Sequence, residues 1–394
     1  RDVFYVLGSG LEKVLSTTGC HELDGYGRSF AGIGIPKEIA QLMNIPTYFA
    51  PDLEAWNEHR ALVAEKRLQA MAEAAPGKEP RLPRFSHRNN RLFKSIGALA
   101  EGKIDANTYE DHAFKWAQEM PINIRHVLSV KYPKAPTRRQ PGKVDLSIDG
   151  YDLPFVIASM SYGSQGETAF RAYAEAAKAL NMLAMNGEGG EIHDMLGRYY
   201  RWRGHQIASG RFGVNTMLLN GARYLEIKIG QGAKPGEGGH LPGKKVSEKV
   251  ARARNALPGI DLISPNNNHD LYSIEDLAQL IFELKTANPD AKVVVKCPVV
   301  PNIGTIAVGI VKAGADVVTL SGFEGGTGAA RVHALRHVGL PADVGVPLVH
   351  AALTAAGLRD QAEIWCDGGM RSAEDALKMI LLGANRVGYA TMAM

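Results

Sequence analysis

The run Gln231–Gly243, Q-G-A-K-P-G-E-G-G-H-L-P-G, sets a lysine, a glutamine and a histidine in a stretch too rich in glycine and proline for regular helix or strand. It follows a strand-like run, Arg223–Ile229, and precedes a helix-like run from Val246. Lys234 is a point charge among backbone N–H groups that no side chain screens, which suits a small dianion. Gln231 adds an amide donor, and His240 an imidazole at the far end of the loop. Arg211 can hold a carboxylate bidentately, and Lys296 closes the strand-like run K-V-V-V-K. Glu188 and Glu191 share the loop G-E-G-G-E, where a carboxylate can relay a proton. Each has a plain alternative: an ion pair for Arg211, a solvated loop residue for Lys234, a snorkelling strand end for Lys296, solvated acids for the two glutamates.

These residues need a frame, and from Leu153 onward short apolar runs alternate with helical patterns. Strands are expected at Pro154–Ser159, Asn181–Ala184, Tyr224–Ile229, Ile260–Ser264, Lys292–Lys296, Asp316–Ser321, Glu363–Asp367 and Arg386–Tyr389. Helices are expected at Ala169–Leu180, Ser273–Ala287, Ile303–Ala313 and Ser372–Leu382. Eight strands alternating with helices predict an α/β fold, a (β/α)8 TIM barrel. Glycine clusters follow the strands, which puts them on the carboxyl-end face where such barrels build their sites. The late loops, Asp367–Ser372 and Gly388–Thr391, stand where barrels bind phosphate, so a phosphate-bearing cofactor across the mouth is expected.

The first part of the chain reads differently. Residues 1–82 form a segment of unclear role, 83–150 a mainly helical segment leading into the barrel, and 151–394 the barrel itself. A short helix is expected at Pro36–Met43, an exposed helix over about Leu53–Ala75, a linker at Pro76–Pro83, and two helices within Asn90–Met120. Gly8 and Gly10 resemble the start of a dinucleotide loop, but Lys13 replaces the third glycine and no βαβ unit follows. The chain begins at Arg1 and stops at Met394 just after a strand, which reads as a piece of a longer protein.

A net charge of +4 over 394 residues, without a dense basic run, gives no support for nucleic-acid binding. The longest apolar run, Ile303–Leu320, contains Lys312 and Asp316 and does not read as a membrane span. Cys20, Cys297 and Cys366 are too far apart for a metal site and read as reduced, packed thiols. With no signal peptide, a cytoplasmic protein is expected.

Several runs occur together and in order: G-E-G-G-E (Gly187–Glu191), Q-I-A-S-G-R-F-G-V (Gln206–Val214), Q-G-A-K-P-G-E-G-G (Gln231–Gly239), S-P-x-x-x-H-D-x-Y-S-I-E-D-L-A-Q-L-I (Ser264–Ile281), S-G-x-x-G-G-T-G-A (Ser321–Ala329) and D-G-G (Asp367–Gly369). This set resembles the FMN-containing synthase domain of glutamate synthase over about Phe85–Met394. The resemblance implies that ammonia adds to 2-oxoglutarate and that reduced FMN passes a hydride to the resulting 2-iminoglutarate, giving L-glutamate. It implies substrate binding by Arg211, Gln231, Lys234 and His240. Catalytic roles fall to Lys296, beside the flavin, and Glu188. FMN contacts fall to Met160, Ser161, Lys296, Ser321, Gly325, Gly326, Asp367, Gly368, Gly369, Gly388 and Thr391. It also implies a glutaminase domain or subunit, an electron-donor protein and an oligomer.

Three departures stand out. The family commonly has Gln where this chain has His240. The segment between Glu191 and Gln206 is short and carries Tyr199, Tyr200 and Trp202; it reads as an amphipathic surface helix or an altered substrate entrance. The family's cluster-binding cysteines would come after Met394, so a [3Fe-4S] cluster is expected only if cysteines follow there. Two other readings remain: a related barrel that uses another amine donor, such as an N-methylglutamate synthase, and a non-catalytic assembly subunit.

Overall fold

A computed structural model describes residues 2–18, 31–73, 90–119, 121–131, 145–326, 328, 330–331, 334–335 and 338–394. The expected linker Pro76–Pro83, Cys20, and Thr327 and Ala329 of the S-G-x-x-G-G-T-G-A run lie outside them.

Two compact units result, one within the first 89 residues and one built on Asn90–Met394. In the first, helix α1 (Asp2–Thr18) contains both Gly8 and Gly10, in agreement with the absence of a dinucleotide loop there. Strands β1 (Gly32–Ile33) and β2 (Thr47–Tyr48) pair in parallel around helix α2 (Lys37–Leu42). Helix α3 (Leu53–Ala72) starts where the Asp52 carboxylate accepts from the Ala55 N–H.

The second unit opens with helices α4 (Asn90–Ala100) and α5 (Ala106–Glu119) and a single 3-10 turn, Ile124–His126. Then comes a closed parallel barrel of eight strands: β3 (Phe155–Ile157), β4 (Leu183–Met185), β5 (Arg203–Ile207), β6 (Tyr224–Lys228), β9 (Lys292–Pro298), β10 (Val317–Ser321), β11 (Glu363–Asp367) and β12 (Arg386–Tyr389). β7 (His240–Leu241) and β8 (Leu262–Ile263) pair antiparallel outside the barrel. Crossover helices include α6 (Glu167–Ala179), α7 (Thr216–Leu219), α8 (Glu248–Arg254), α9 (Ile274–Ala287), α10 (Ile303–Lys312), α11 (Ala342–Ala355) and α12 (Ala373–Leu381). α9 begins with a capping box between Ser273 and Asp276, and the Ser247 and Ser372 side chains cap α8 and α12.

The barrel and its eightfold count are as the sequence predicts, but one strand is exchanged. Ile260–Ser264 is not a barrel strand; its Leu262–Ile263 core closes the small outer hairpin. The missing barrel strand is β5, R-G-H-Q-I, whose five residues are all buried. Its polar residues hide it from an apolar-run reading. Gln206 faces the acid Glu226, while Arg203 lies over the Phe170 ring of α6. The segment between Glu191 and β5 is two 3-10 turns, His193–Met195 and Tyr200–Trp202, rather than an amphipathic α-helix.

Candidate functional site

The upper end of the barrel is polar. Lys296 Nζ lies 2.5 Å from Asp367 Oδ2, and Asp367 Oδ1 accepts from Ser321 Oγ at 2.7 Å. Ser321 and Asp367 end adjacent strands, Lys296 lies two residues before the end of the neighbouring β9, and all three are buried. Burial pulls the Lys296 ammonium toward release of its proton, but Asp367 and Glu226 outweigh it, so its pKa is raised. Glu226, 1% exposed, accepts from Ser159 Oγ and Gln206 Nε2, each at 2.6 Å. The lysine is thus held charged in a layer of satisfied carboxylates.

Around this layer the backbone itself comes close. A side chain at Gly325 would stand 2.3 Å from Ser321 Oγ, and one at Gly187 would meet the Met160–Ser161 backbone at 2.7 Å. Gly368 and Gly369 have φ of +109° and +70°, which favours glycine, and Gly388 faces the Asp367 side chain. Ser161 Oγ donates to Ser164 Oγ, and Thr391 lies exposed in the loop after β12. The loops after β10, β11 and β12 therefore offer close main chain beside a fixed cation. That donor set fits a flat, phosphate-bearing cofactor.

On the other side, the loop after β6 is pinned. Gly232 lies against the Gly322 carbonyl, and the Gln231 side chain fills the space beside Gly326. Lys234 is 2% exposed, and its Nζ donates to the Gly238 carbonyl at 2.9 Å. Its pKa is lowered, by burial first and by the neighbouring Lys228 second. Arg254, at the end of α8, is 5% exposed and reaches the Glu188 carbonyl at 3.3 Å, while its Nε has no partner. Burial lowers its pKa as well. Among the described residues, neither cation has a carboxylate within ion-pair distance.

The structure separates the two glutamates. Glu191 is 3% exposed and anchors the loop outward, 2.7 Å from Arg203 and 3.6 Å from His205. Glu188 faces Lys228 at 2.9 Å and Gly239, with its Oε1 buried and without a hydrogen bond. Burial would push the Glu191 carboxyl up, but Arg203 and His205 hold it at about 2. This group therefore stabilises the fold above its unfolded pKa near 4.5, and that contribution is lost as pH falls from about 4.5 to about 2. The full effect is about 3 kcal/mol. Urea titrations of the wild type and Glu191→Gln are expected to differ most at neutral pH and to converge across that acid window.

The family whose description is "Conserved region in glutamate synthase" matches residues 89–394. The chain belongs to the glutamate synthase family. It is 47% identical to the glutamate synthase [NADPH] large chain of Bacillus subtilis (strain 168), over 97% of this chain and 26% of that protein. Identity to the NADPH large chain of Azospirillum brasilense is 41%, over 98% of this chain and 26% of the relative. A ferredoxin-dependent glutamate synthase of Antithamnion sp. is 36% identical, over 98% of this chain and 27% of its own length. The chain thus spans about a quarter of the length of these glutamate synthases. A solved lactate oxidase from Pediococcus acidilactici aligns with 76% of this chain and 81% of its own at 16% identity and a TM-score of 0.48.

Among the residues expected to act in a glutamate synthase, the structure gathers Lys296, Asp367, Ser321, Gly325, Gln231, Gly326, Lys234 and Glu188 around one mouth. It does not bring His240 there: the imidazole is half exposed on the outer hairpin, 3.2 Å from Asp261. Arg211 is held at φ +50°, with its guanidinium on Asp270 at 2.5 Å and Asn268 at 2.6 Å, so the ion-pair reading describes it. Sequence reasoning missed Arg254, which no glycine motif marks and which only the fold of α8 turns toward Glu188. Cys297 and Cys366 are buried thiols, with burial raising the Cys297 pKa to about 12. Among the described residues no three His, Cys, Asp or Glu side chains converge on a metal position, and no helix is long and apolar enough to cross a membrane.

Proposed function

We propose that this chain is the flavin-bearing part of a glutamate synthase, an FMN-dependent oxidoreductase that converts 2-iminoglutarate, formed from 2-oxoglutarate and ammonia, to L-glutamate. The observation that carries this reading is the pair of buried cations, Lys234 and Arg254, without carboxylate partners among the described residues. Burying a charge without its counterion is costly. A dicarboxylate placed between them removes that cost twice, and both cations flank Glu188. Lys228 is already neutralised by Glu188, and Arg211 by Asp270, so two positive charges face a substrate with two negative ones.

Gly368, Gly369, Gly388 and Gly325 supply the main chain that would hold FMN, with Met160, Ser161 and Thr391 on the neighbouring loops. When bound, reduced FMN supplies the hydride. Lys296 contributes a permanent positive charge that stabilises negative charge developing on the ring. Glu188 keeps one carboxylate oxygen free of hydrogen bonds, an acceptor for the ammonium or imine N–H. The two charge systems, Lys296–Asp367 and Lys234–Arg254, keep cofactor and substrate binding apart. The glutaminase, the electron donor (the relatives named here use NADPH or ferredoxin) and the oligomer belong to this proposal as partners of the longer protein.

The test is a flavin spectrum of the purified protein followed by turnover of 2-oxoglutarate with ammonia, glutamine or methylamine. A colourless protein that takes up no FMN would sink the reading, and preference for methylamine would shift it to an N-methylglutamate synthase. Lys234→Gln is expected to raise KM for 2-oxoglutarate about 100-fold with kcat within about threefold, because the lost charge contacts substrate and transition state alike.

A further inference from the structure

The 3-10 turn Ile124–His126 stands before the barrel in sequence, yet its side chains end beneath the loops after β10 and β11. Asn123 Nδ2 donates to Glu324 Oε2 at 2.6 Å across 201 residues of sequence. Arg125 is fully buried. Its Nη1 donates to Asp343 of α11 at 2.7 Å, its Nε to Asp375 of α12 at 2.9 Å, and its Nη2 to the Gly369 carbonyl at 2.8 Å. The Arg125 N–H also reaches Asp343 at 2.8 Å, and Lys378 donates back to the Arg125 carbonyl at 2.8 Å.

Glu324 is the hinge of this arrangement. It lies in the glycine loop after β10, accepts from Arg371 at 2.8 Å, and its carboxylate occupies the space where a side chain at Gly369 would begin. The loop after β10 and the turn after β11 therefore share one buried acid, and Asn123 holds that acid from below. Arg125 holds the carbonyl of Gly369, the residue whose φ of +70° shapes the turn. Both residues are buried, and among the described residues no hydrogen bond or ion pair joins them to Lys234 or Arg254.

We infer that Asn123 and Arg125 are positioning residues for the cofactor's phosphate. They fix Glu324 and the Gly369 peptide so that the main chain after β10 and β11 is preset for an anion before the cofactor arrives. A preset turn loses little freedom on binding, so loosening it weakens binding of the group it holds and leaves the rest of the ligand's contacts alone. This rests on the reading that FMN occupies the barrel mouth with its phosphate at these loops.

The experiment compares FMN with riboflavin, which has the same ring and no phosphate, by equilibrium titration of the full chain stripped of flavin. Asn123→Ala is expected to weaken FMN about tenfold while riboflavin changes less than about twofold. Because this change can also loosen the fold, a second variant exchanges the partners: Asn123→Asp with Glu324→Gln keeps the total charge and the hydrogen bond with its direction reversed. It is expected to return FMN affinity to within about threefold of wild type. Equal weakening of FMN and riboflavin in Asn123→Ala, or no weakening of either, overturns the positioning role. So does an exchange variant that binds FMN no better than Asn123→Ala. A wild-type protein that binds neither flavin overturns the cofactor reading itself, an outcome distinct from the others because no variant is needed to see it.

Discussion

Lys296→Met is expected to lower kcat by about 10²- to 10³-fold, the usual effect of removing one preorganised charge from the place where charge develops. The physical basis is the environment of the lysine. Burial alone would favour the neutral amine, but Asp367 at 2.5 Å and the nearby Glu226 reverse that preference. Methionine keeps the length and packing of the side chain and removes only the charge. On the proposed reading KM for 2-oxoglutarate is expected to change little, since the substrate's charges would be matched by Lys234 and Arg254 on the other side of the mouth. Steady-state kinetics at saturating cofactor measure both quantities. A loss below about fivefold would place Lys296 outside the reacting region. The Asp367 carboxylate keeps its bond from Ser321 in the variant, which limits structural damage.

The largest expected effect on stability lies at Arg125. Arg125→Met is expected to destabilise the fold by about 3–5 kcal/mol, because it strands the buried carboxylates of Asp343 and Asp375. Both acids stand in the first turn of a barrel helix, where the helix dipole offsets only part of that cost. Chemical denaturation of the barrel unit measures the loss, and a change below about 1 kcal/mol would show that water or rearrangement satisfies the acids. Replacing Arg125 together with Asp343→Asn and Asp375→Asn is expected to recover part of the stability, since breaking an ion cluster costs more than removing it.

Much of the barrel was legible because its signals are local. The apolar runs at Val317–Ser321 and Glu363–Asp367 and the glycines that follow them mark strand and loop within ten residues of each other. The signal fails where burial is polar. β5 was passed over because Arg203, His205 and Gln206 look solvated until their partners Glu191 and Glu226 are folded against them. Ile260–Ser264 carries the apolar residues of a strand, and its Leu262–Ile263 does form one, but an apolar run says nothing about which sheet a strand joins. Lys234 and Lys296 were legible as candidates because one follows a recognisable strand and the other lies near the end of one. Arg254 and Arg125 were not, since each sits in an ordinary helical or turn sequence and acquires its place only through distant residues. His240 shows the converse: a residue can close a recognisable loop motif and still turn outward.

The separation between Arg125 and its partners also bears on how the protein is made. Asp343 and Asp375 lie 218 and 250 residues further along the chain. At about 5–20 residues per second of synthesis, the turn at Asn123–His126 waits roughly 10–50 s before the acids that bury it leave the ribosome. During that interval helices α4 and α5 can pair with each other, but Tyr109 and Glu110 of α5 lack their late partners Arg371 and Ala373, the guanidinium stays in water and the barrel's last strands are missing. Closure of the barrel and docking of this turn are therefore late events in biogenesis. A chain stopped between Asp343 and Asp375 would bury half of an ion cluster, which makes truncations in that window the ones most prone to aggregate.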